Sequence, residues 1–96
     1  MSAVRLTPKA RRDLDEIWAY SVEQWGEARA EQYIRRLQAV IERVGERPDS
    51  ARLCDDIRPG YRRASAGSHV IFLKLHENGV EIVRILHARM DFGHRL

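Results

Sequence analysis

Two stretches of helical periodicity that meet at a single glycine place the strongest constraint on the fold. In the first stretch, apolar residues recur at three- and four-residue steps after Thr7 and Pro8, which predicts a helix with Thr7 as its N-cap that ends at Gly26. A second stripe begins almost at once and closes at Gly45 and Pro48. Two helices of about five turns each with almost no loop between them must fold back antiparallel. The stripes consist of Ala10, Leu14, Ile17, Trp18, Val22 and Trp25 in the first helix and Ala30, Tyr33, Ile34, Leu37, Ile41 and Val44 in the second.

The bulkiest side chains of the first stripe are those of Trp18 and Trp25. Aromatic residues of this size bury large apolar areas when they lie in a core. We therefore expect both tryptophans to anchor the helical hairpin from inside, and not to stack on a ligand.

The rest of the chain follows the two-residue period that is typical of strands. The segment "AVRL" at Ala3–Leu6 predicts a short first strand, and after Pro59-Gly60 the segments "YRRAS", "SHVIFLKL" and "GVEIVRILH" predict three more. Turns are expected at Ala66-Gly67 and at Asn78-Gly79, the latter a strong hairpin signal, while residues 49–59 are expected to form a loop. The order β-α-α-β-β-β is that of an α+β domain, with a small antiparallel sheet covered on one face by an N-terminal helical hairpin.

The predicted sheet offers more apolar surface than one helical hairpin can cover. We expect the core under the helices to use Val70 or Ile71 together with Phe72, Ile82 and Val83. The opposite face of the sheet would then stay open and partly apolar. A single domain spanning residues 1–96 has only a modest core, so an uncovered apolar face indicates a surface that a partner covers.

Positive charge is concentrated in the C-terminal part of the chain. The whole chain has a net charge of +3, but the segment from Arg58 to Leu96 contains seven Arg or Lys against three Asp or Glu, together with all four histidines. The segment up to Pro48 is nearly balanced, with nine basic and eight acidic residues. The C-terminal half is therefore suited to an acidic partner, either a phosphate backbone or an acidic protein segment.

The composition disfavours several classes of protein. Cys54 is the only cysteine, so neither an intrachain disulfide nor a cysteine-based zinc site can form. Asp55 and Asp56 are adjacent in the predicted loop without a third ligand at a suitable spacing, so we expect no metal site. The longest apolar run, "VIFL", is too short to span a membrane, and the expected location is the cytoplasm. No glycine-rich phosphate loop indicates a nucleotide cofactor, and two long, nearly neutral helices do not fit a helix-turn-helix DNA-binding protein.

The stretch "VRILHARMD", from Val83 to Asp91, ends a predicted strand with an imidazole, a guanidinium, a thioether and a carboxylate. A ribonuclease could use His87 or His69 as the base and an arginine to hold the phosphate. A protein-docking surface would also be rich in Arg, Met and His. In a third interpretation these side chains only form local hydrogen bonds or are solvated. The sequence leaves all three open for Arg62, Arg63, His69, Arg84, His87 and Arg89.

Four segments, taken in order, resemble one protein family. The segment "LTPKARRDLDEIWAYSVEQWG" is similar to the first helix of the ParE branch of the RelE/ParE toxins, and "AEQYIRRL" is similar to the second helix. The segments "RPGYRRASAGSHVIFLKL" and "VEIVRILHARMD" are similar to the sheet of that family. The matching pieces run nearly from end to end of the chain. The resemblance implies a compact toxin of a bacterial type II toxin–antitoxin system.

The resemblance also implies two protein partners. The first is a cognate ParD-like antitoxin, whose ribbon-helix-helix domain binds DNA and whose acidic, amphipathic C-terminal segment wraps the toxin. Such a hetero-oligomer would contain two or more toxin copies, and the toxin would meet DNA only indirectly. The second partner is DNA gyrase, whose inhibition by free toxin would block replication. No cofactor and no membrane are implied.

The resemblance favours docking over catalysis at the basic strand ends. Docking needs only a contiguous patch, whereas catalysis needs groups that converge on one point. Arg58, Arg62, Arg63 and Arg84 are expected to keep their charged groups in water and to contribute little to folding. The predicted antitoxin- or target-binding residues are Arg58, Arg62, Arg63, His69, Arg84, His87, Arg89, Met90, Asp91 and Phe92.

The RelE branch supplies the alternative function, ribosome-dependent cleavage of mRNA. Its members use a cluster of Lys and Arg and often a C-terminal Tyr or His. In this chain only Lys9 and Lys74 are lysines, and no tyrosine follows Tyr61, so the match favours the ParE branch and a protein that is not an enzyme. The nuclease alternative would make His87, Arg84 and Arg62 the catalytic candidates.

Overall fold

A computed structural model describes residues 3–96 of the chain and confirms the predicted α+β architecture with its helical hairpin. The helices are α1 (Pro8–Trp25) and α2 (Glu27–Glu46), which are separated only by Gly26. The strands are β1 (Ala3–Leu6), β2 (Arg52–Leu53), β3 (Tyr61–Ala66), β4 (His69–His76) and β5 (Gly79–His87). Short 3-10 turns lie at Pro48–Ser50 and Phe92–His94. The start of α1 is as predicted, because the Thr7 side chain accepts the backbone N–H of Ala10 and Pro8 occupies the first helical position.

The sheet is mixed, with the strand order β1-β5-β4-β3-β2. The pairs β3–β4 and β4–β5 are antiparallel as predicted, and β2 pairs antiparallel with β3, but β1 lies parallel to β5, with Leu6 opposite Ile82. Parallel neighbours need a long connection, and here the helical hairpin and three strands supply it. β2 was not predicted. It forms within the expected loop at 49–59 because Arg52 and Leu53 pair with β3.

Each hairpin turn is displaced by one residue from its predicted position. The turn after β3 lies one residue later in the sequence, and the turn after β4 lies one residue earlier. The observed turns are Gly67-Ser68 between β3 and β4, and Glu77-Asn78 between β4 and β5. Gly79 is instead the first residue of β5, with φ at 147°, and a Cβ atom there would collide with the backbone of Ala3 in β1. The glycine of the Asn-Gly pair is therefore needed for the close approach of two strands.

The main core lies between the helices and one face of the sheet. The α2 stripe is buried there as predicted, and Ile71 and Ile82 are fully buried beneath it. Its largest contributors are Ile17, Leu37, Ile41, Val44, Ile71, Leu73, Ile82 and Ile85. Neither helix in this part of the chain is long and apolar enough to cross a membrane.

The prediction that the two tryptophans anchor the core is wrong. Trp18 is 40% exposed and Trp25 is 45% exposed. The buried face of α1 is instead made by small or polar residues, chiefly Ala10, Asp13 and Ser21, together with Ile17. Because Ala10 and Ser21 have small side chains, this face brings α1 close to β5, and the tryptophans lie outside that contact.

The apolar pattern predicted an open second face of the sheet, but this face is partly covered. It holds a smaller core of Cys54, Val70, Phe72 and Leu86, against which Ile57, Tyr61, Phe92 and Leu96 pack. The Phe92 ring meets the Phe72 ring edge-on, with centroids 4.8 Å apart. The loop before β3 and the C-terminal tail thus cover part of this face, so Phe72 belongs to this second core and not to the one beneath the helices.

A β-bulge at Val83 changes the direction of the side chains in β5. Phe72 lies opposite Arg84 and Leu73 lies opposite Ile82, so Val83 has no partner in β4. Ile82 and Ile85 consequently both face the helices. The predicted alternation, with Val83 and Ile85 on one face, is interrupted at this point.

A buried ion pair joins α1 to the edge of β5 just beyond the end of β1. The Asp13 carboxylate accepts hydrogen bonds from Nε and Nη2 of Arg84, at 2.8 and 2.9 Å, and from the backbone N–H of Ile85 at 2.9 Å. Nη1 of Arg84 donates to the carbonyl of Arg95 at 2.9 Å, which fastens the C-terminal tail. The bond to Asp13 is the main cause that raises the pKa of Arg84. The expectation that Arg84 keeps its charge in water is therefore wrong.

We predict that Arg84→Gln lowers the free energy of unfolding by about 3 kcal/mol, because it leaves a buried carboxylate without its cation. The side chains of Arg84 and Asp13 are only 17% and 9% exposed, so solvent screens the pair weakly. Urea denaturation of the purified chain would measure the change.

The matched control is Arg5→Gln. Arg5 also pairs with a carboxylate across the sheet, that of Glu81 at 3.8 Å, but its side chain is 72% exposed. Surface pairs of this kind contribute at most about 1 kcal/mol. Equal losses in the two variants would show that the Asp13–Arg84 pair has no special role in stability.

Candidate functional site

A groove of about 340 Å³ runs between α1 and the end of β5. We call it the α1–β5 groove, and it is lined by four of the residues predicted to bind a partner, His69, Arg84, His87 and Met90. The other lining residues are Asp13, Glu16, Ile17, Tyr20, Ile85, Leu86 and Arg95. Topology brings these residues together, because α1 crosses the open edge of β5 where β1 has ended. The groove is thus built from both ends of the chain.

His69 is held in place by a tyrosine of α2. The Tyr33 hydroxyl accepts the backbone N–H of Ser68 at 2.9 Å and lies 2.6 Å from Nδ1 of His69. Burial first, and then the nearby His87, lowers the pKa of the His69 imidazole, although Asp13 acts in the opposite direction. The Tyr33 hydroxyl therefore joins α2 both to His69 and to the turn before β4.

His87 lies directly opposite His69 on the neighbouring strand. The two rings are in edge contact with centroids 5.4 Å apart, and they continue a row of aromatic contacts that starts at Trp25 and passes through Tyr33. Nδ1 of His87 accepts the backbone N–H of Arg89 at 3.2 Å, which shapes the turn after β5. Both imidazoles therefore have a ring nitrogen engaged within the chain.

The groove brings together three of the candidate catalytic groups, and the arginine among them is already engaged by Asp13, whereas each imidazole uses only Nδ1 within the chain. The guanidinium of Arg84 is held by Asp13, Nδ1 of His69 by Tyr33 and Nδ1 of His87 by a backbone amide. A ribonuclease needs a cation directed at the phosphate and a base that can reach the 2′-hydroxyl. Arg62, another nuclease candidate, does not line the groove. Its guanidinium group donates to the carbonyl of Ala51 at 2.9 Å, next to β2. This arrangement favours binding over catalysis.

Large apolar side chains stand exposed along α1 and at the end of β5. Tyr20, which lines the α1–β5 groove, is 61% exposed, and Met90 stands at the other margin. Trp18 and Trp25 are also exposed, but neither lines the groove, and Trp25 lies against Tyr33 of α2. Exposed Tyr, Trp and Met residues around a concave surface are typical of a protein-binding site.

The other predicted binding residues lie outside the groove. Arg58 donates to the carbonyl of Leu96, and Phe92 packs on Phe72, so both help to hold the C-terminal tail. Arg89 and Asp91 are exposed, and Asp91 accepts the backbone N–H of Gly93. The ten predicted residues thus do not form one patch.

A second concave surface, which we call the arginine cleft, lies on the far side of β3. It measures about 470 Å³ and contains two of the predicted residues, Arg63 and Phe92, beside Arg43 and Arg52. Its remaining lining residues are Ser50, Ala64, Ser65, Val70 and Ala88. Arg43 and Arg52 were missed because the sequence interpretation looked for charge only after Arg58.

Sequence reasoning also missed Asp13, Tyr20 and Tyr33. Asp13 carried a usable signal, because it lies three residues after Ala10 and four before Ile17, so a carboxylate occupies the buried stripe of α1. A charge in such a position requires a buried partner. Tyr20 carried no comparable signal. Within residues 3–96 no group of three or more His, Cys, Asp or Glu side chains is placed to hold a metal ion.

Comparison with known proteins gives a consistent result. The family model described as the ParE toxin of the type II toxin–antitoxin system parDE matches residues 4–92. The chain is 47% identical over 92 residues to Toxin ParE1 of Mycobacterium tuberculosis, covering 95% of this chain and 94% of that protein. It is 44% identical over 91 residues to Toxin ParE1 of Caulobacter vibrioides, with the same two coverages, and 33% identical over 97 residues to Toxin ParE of Escherichia coli, covering 100% and 94%.

The fold comparison agrees with the family match. A solved structure of the chromosomal ParDE TA system from P. aeruginosa superposes with a TM-score of 0.80 at 19% identity, covering 91% of this chain and 96% of that chain. Such a likeness shows the fold, while the family model and the relatives above 30% identity cover nearly the whole length. The chain therefore belongs to the ParE toxin family of type II toxin–antitoxin systems.

Proposed function

We propose that the free toxin inhibits DNA gyrase in the bacterial cytoplasm by docking through the α1–β5 groove, and that a ParD-like ribbon-helix-helix antitoxin neutralises it by covering the same groove. The observation that carries the proposal is an open groove lined by the exposed Tyr20 and Met90, in which the Asp13, Arg84 and His69 side chains already have partners within the chain. Such a surface binds a protein without leaving buried charges unpaired. The family match supports the toxin class.

The charges around the groove suit an amphipathic acidic segment. Arg95 lines the groove and Arg89 lies in the adjoining turn, while of the two lining carboxylates Asp13 is neutralised by Arg84 and Glu16 remains exposed. Apolar side chains of an antitoxin helix would contact Tyr20 and Met90, and its carboxylates would face the basic end. We propose a hetero-oligomer with two or more toxin copies, since ribbon-helix-helix domains dimerise.

The alternative function, ribosome-dependent mRNA cleavage, has one observation in its favour. His69 and His87 lie side by side in the groove, and a pair of imidazoles can provide an acid and a base. Against this stands the engagement of the Arg84 guanidinium by Asp13 and by the carbonyl of Arg95, which keeps it from holding a phosphate. We therefore propose gyrase inhibition as the function and mRNA cleavage as the outcome that would replace it.

We predict that Tyr20→Ala weakens binding of the cognate antitoxin by tenfold or more, because truncation of an aromatic anchor residue at an interface commonly costs about 2 kcal/mol. Tyr20 is exposed, so the fold should keep its stability. Glu23→Ala, on an exposed position of the same helix outside the groove, is the control. Calorimetric titration would measure both. An unchanged affinity in Tyr20→Ala would place the antitoxin elsewhere.

We predict that saturating antitoxin raises the thermal midpoint of the toxin by roughly 10–20 °C. A ligand at a hundred times its dissociation constant adds about 2.7 kcal/mol of stability, and in a domain of this size each kcal/mol shifts the midpoint by about 4–8 °C. Thermal melts of the toxin with increasing antitoxin would follow the shift. A midpoint independent of antitoxin concentration would contradict the proposal.

We predict that His87→Gln leaves toxicity and gyrase inhibition nearly unchanged, while Met90→Asp reduces both by tenfold or more. Glutamine keeps a hydrogen-bonding group of similar size but cannot titrate, whereas an aspartate at the margin places a charge in an apolar contact. A supercoiling assay with purified gyrase gives the inhibition. Degradation of mRNA in a ribosome-containing extract that is lost in His87→Gln, by about a hundredfold as for a general base, would replace the docking mechanism with a nuclease.

A further inference from the structure

The arginine cleft has no role in the proposed docking through the α1–β5 groove. It lies just before the start of β2, because β2 pairs only with Arg62 and Arg63 and leaves the following part of β3 without a strand on that side. Ala64 and Ser65 of that open edge line the cleft. The end of α2 and the tail turn at Phe92 close its sides.

Three arginines from three separate elements converge on this cleft. Arg43 comes from α2, Arg52 from β2 and Arg63 from β3, and Arg52 lies directly opposite Arg63 across the strand pair. Like charges in directly opposite positions destabilise a strand pair. None of the lining residues is acidic. Within residues 3–96 none of the three guanidinium groups takes part in a hydrogen bond or an ion pair. A bound anion would relieve this repulsion.

An aromatic ring lies beside these cations. Phe92 lines the cleft, and its contact with Phe72 is edge-on at 64°, which leaves the Phe92 side chain only partly buried. Val70 and Ala88 add a small apolar surface, and Ser65 adds an exposed hydroxyl group. Guanidinium groups bind phosphates with two parallel hydrogen bonds, and aromatic rings bind bases by stacking. A volume of about 470 Å³ lies in the range of small-molecule sites.

We propose that the arginine cleft binds a phosphorylated nucleoside, free or within a single-stranded nucleic acid, with its phosphates on Arg43, Arg52 and Arg63 and its base against Phe92. No glycine-rich loop is required, since the guanidinium groups replace backbone N–H donors as phosphate ligands. An acidic protein segment would match the charges as well, and competition by polyglutamate tests that occupant. The site binds and carries out no reaction, and it is independent of gyrase inhibition.

The test uses the full chain and three probes: adenosine triphosphate, pyrophosphate and a fluorescein-labelled short oligothymidylate. We expect adenosine triphosphate to bind in calorimetric titration and Arg52→Gln and Arg63→Gln each to weaken it by about tenfold, the loss of one charged hydrogen-bonding pair. Arg12→Gln is the control. It removes the same charge from an exposed position of α1 outside the cleft, and should leave binding unchanged.

A second variant, Phe92→Leu, tests the place of the base. It should weaken adenosine triphosphate but not pyrophosphate, and if it fails to fold, the two arginine variants decide the matter alone. Tighter binding of oligothymidylate than of adenosine triphosphate, with a steep dependence on salt, would assign the site to nucleic acid, and the reverse order to a free nucleotide. Either result supports the proposal. The proposal is overturned if neither adenosine triphosphate nor oligothymidylate binds, or if Arg12→Gln weakens binding as much as Arg52→Gln. It is also overturned if polyglutamate displaces bound oligothymidylate more effectively than adenosine triphosphate or pyrophosphate does.

Discussion

The ion pair between Asp13 and Arg84 is the contact on which the rest of the structure depends. The Asp13 carboxylate accepts the backbone N–H of Ile85 at the open edge of β5 and neutralises the buried guanidinium of Arg84. These bonds fix the position of α1 over the sheet. The same guanidinium binds the carbonyl of Arg95 and so positions the C-terminal tail. Helix, sheet and tail therefore share a single charged junction. The floor of the α1–β5 groove is made of the same junction, so stability and binding cannot be altered independently there.

Much of the architecture could be predicted from periodicity, because helices and strands of this chain have well-separated patterns. The α2 stripe, the Thr7-Pro8 start and the three C-terminal strands follow from local chemistry alone. The prediction failed where a distant contact decided the outcome. The parallel pairing of β1 with β5 depends on a partner more than seventy residues away, and so does the burial of Asp13 in place of Trp18. No pattern within α1 distinguishes its small, polar face from its aromatic one without knowledge of how closely β5 approaches.

The candidate site shows the same division. Residue types alone were enough to single out His69, Arg84, His87 and Met90, and these do line one groove. Residue types could not tell that Arg84 is held by a carboxylate or that Arg63 belongs to a different concave surface with Arg43 and Arg52. The bulge at Val83 sets the direction of the Arg84 side chain, and the two-residue strand β2 places Arg52 beside Arg63. Both are small departures from regular pairing that sequence periodicity does not record.

The parallel contact between β1 and β5 also has a consequence for how the chain folds during its synthesis on the ribosome. The first strand of the chain has no partner until the last strand has been synthesised, and the Asp13 carboxylate likewise waits for Arg84 and Ile85. Contacts between residues so far apart in sequence form late and slowly in folding. The helical hairpin, whose contacts are local, can form while the rest of the chain is still being made. The α1–β5 groove, which is built from both ends of the chain, is therefore completed only when translation is almost finished.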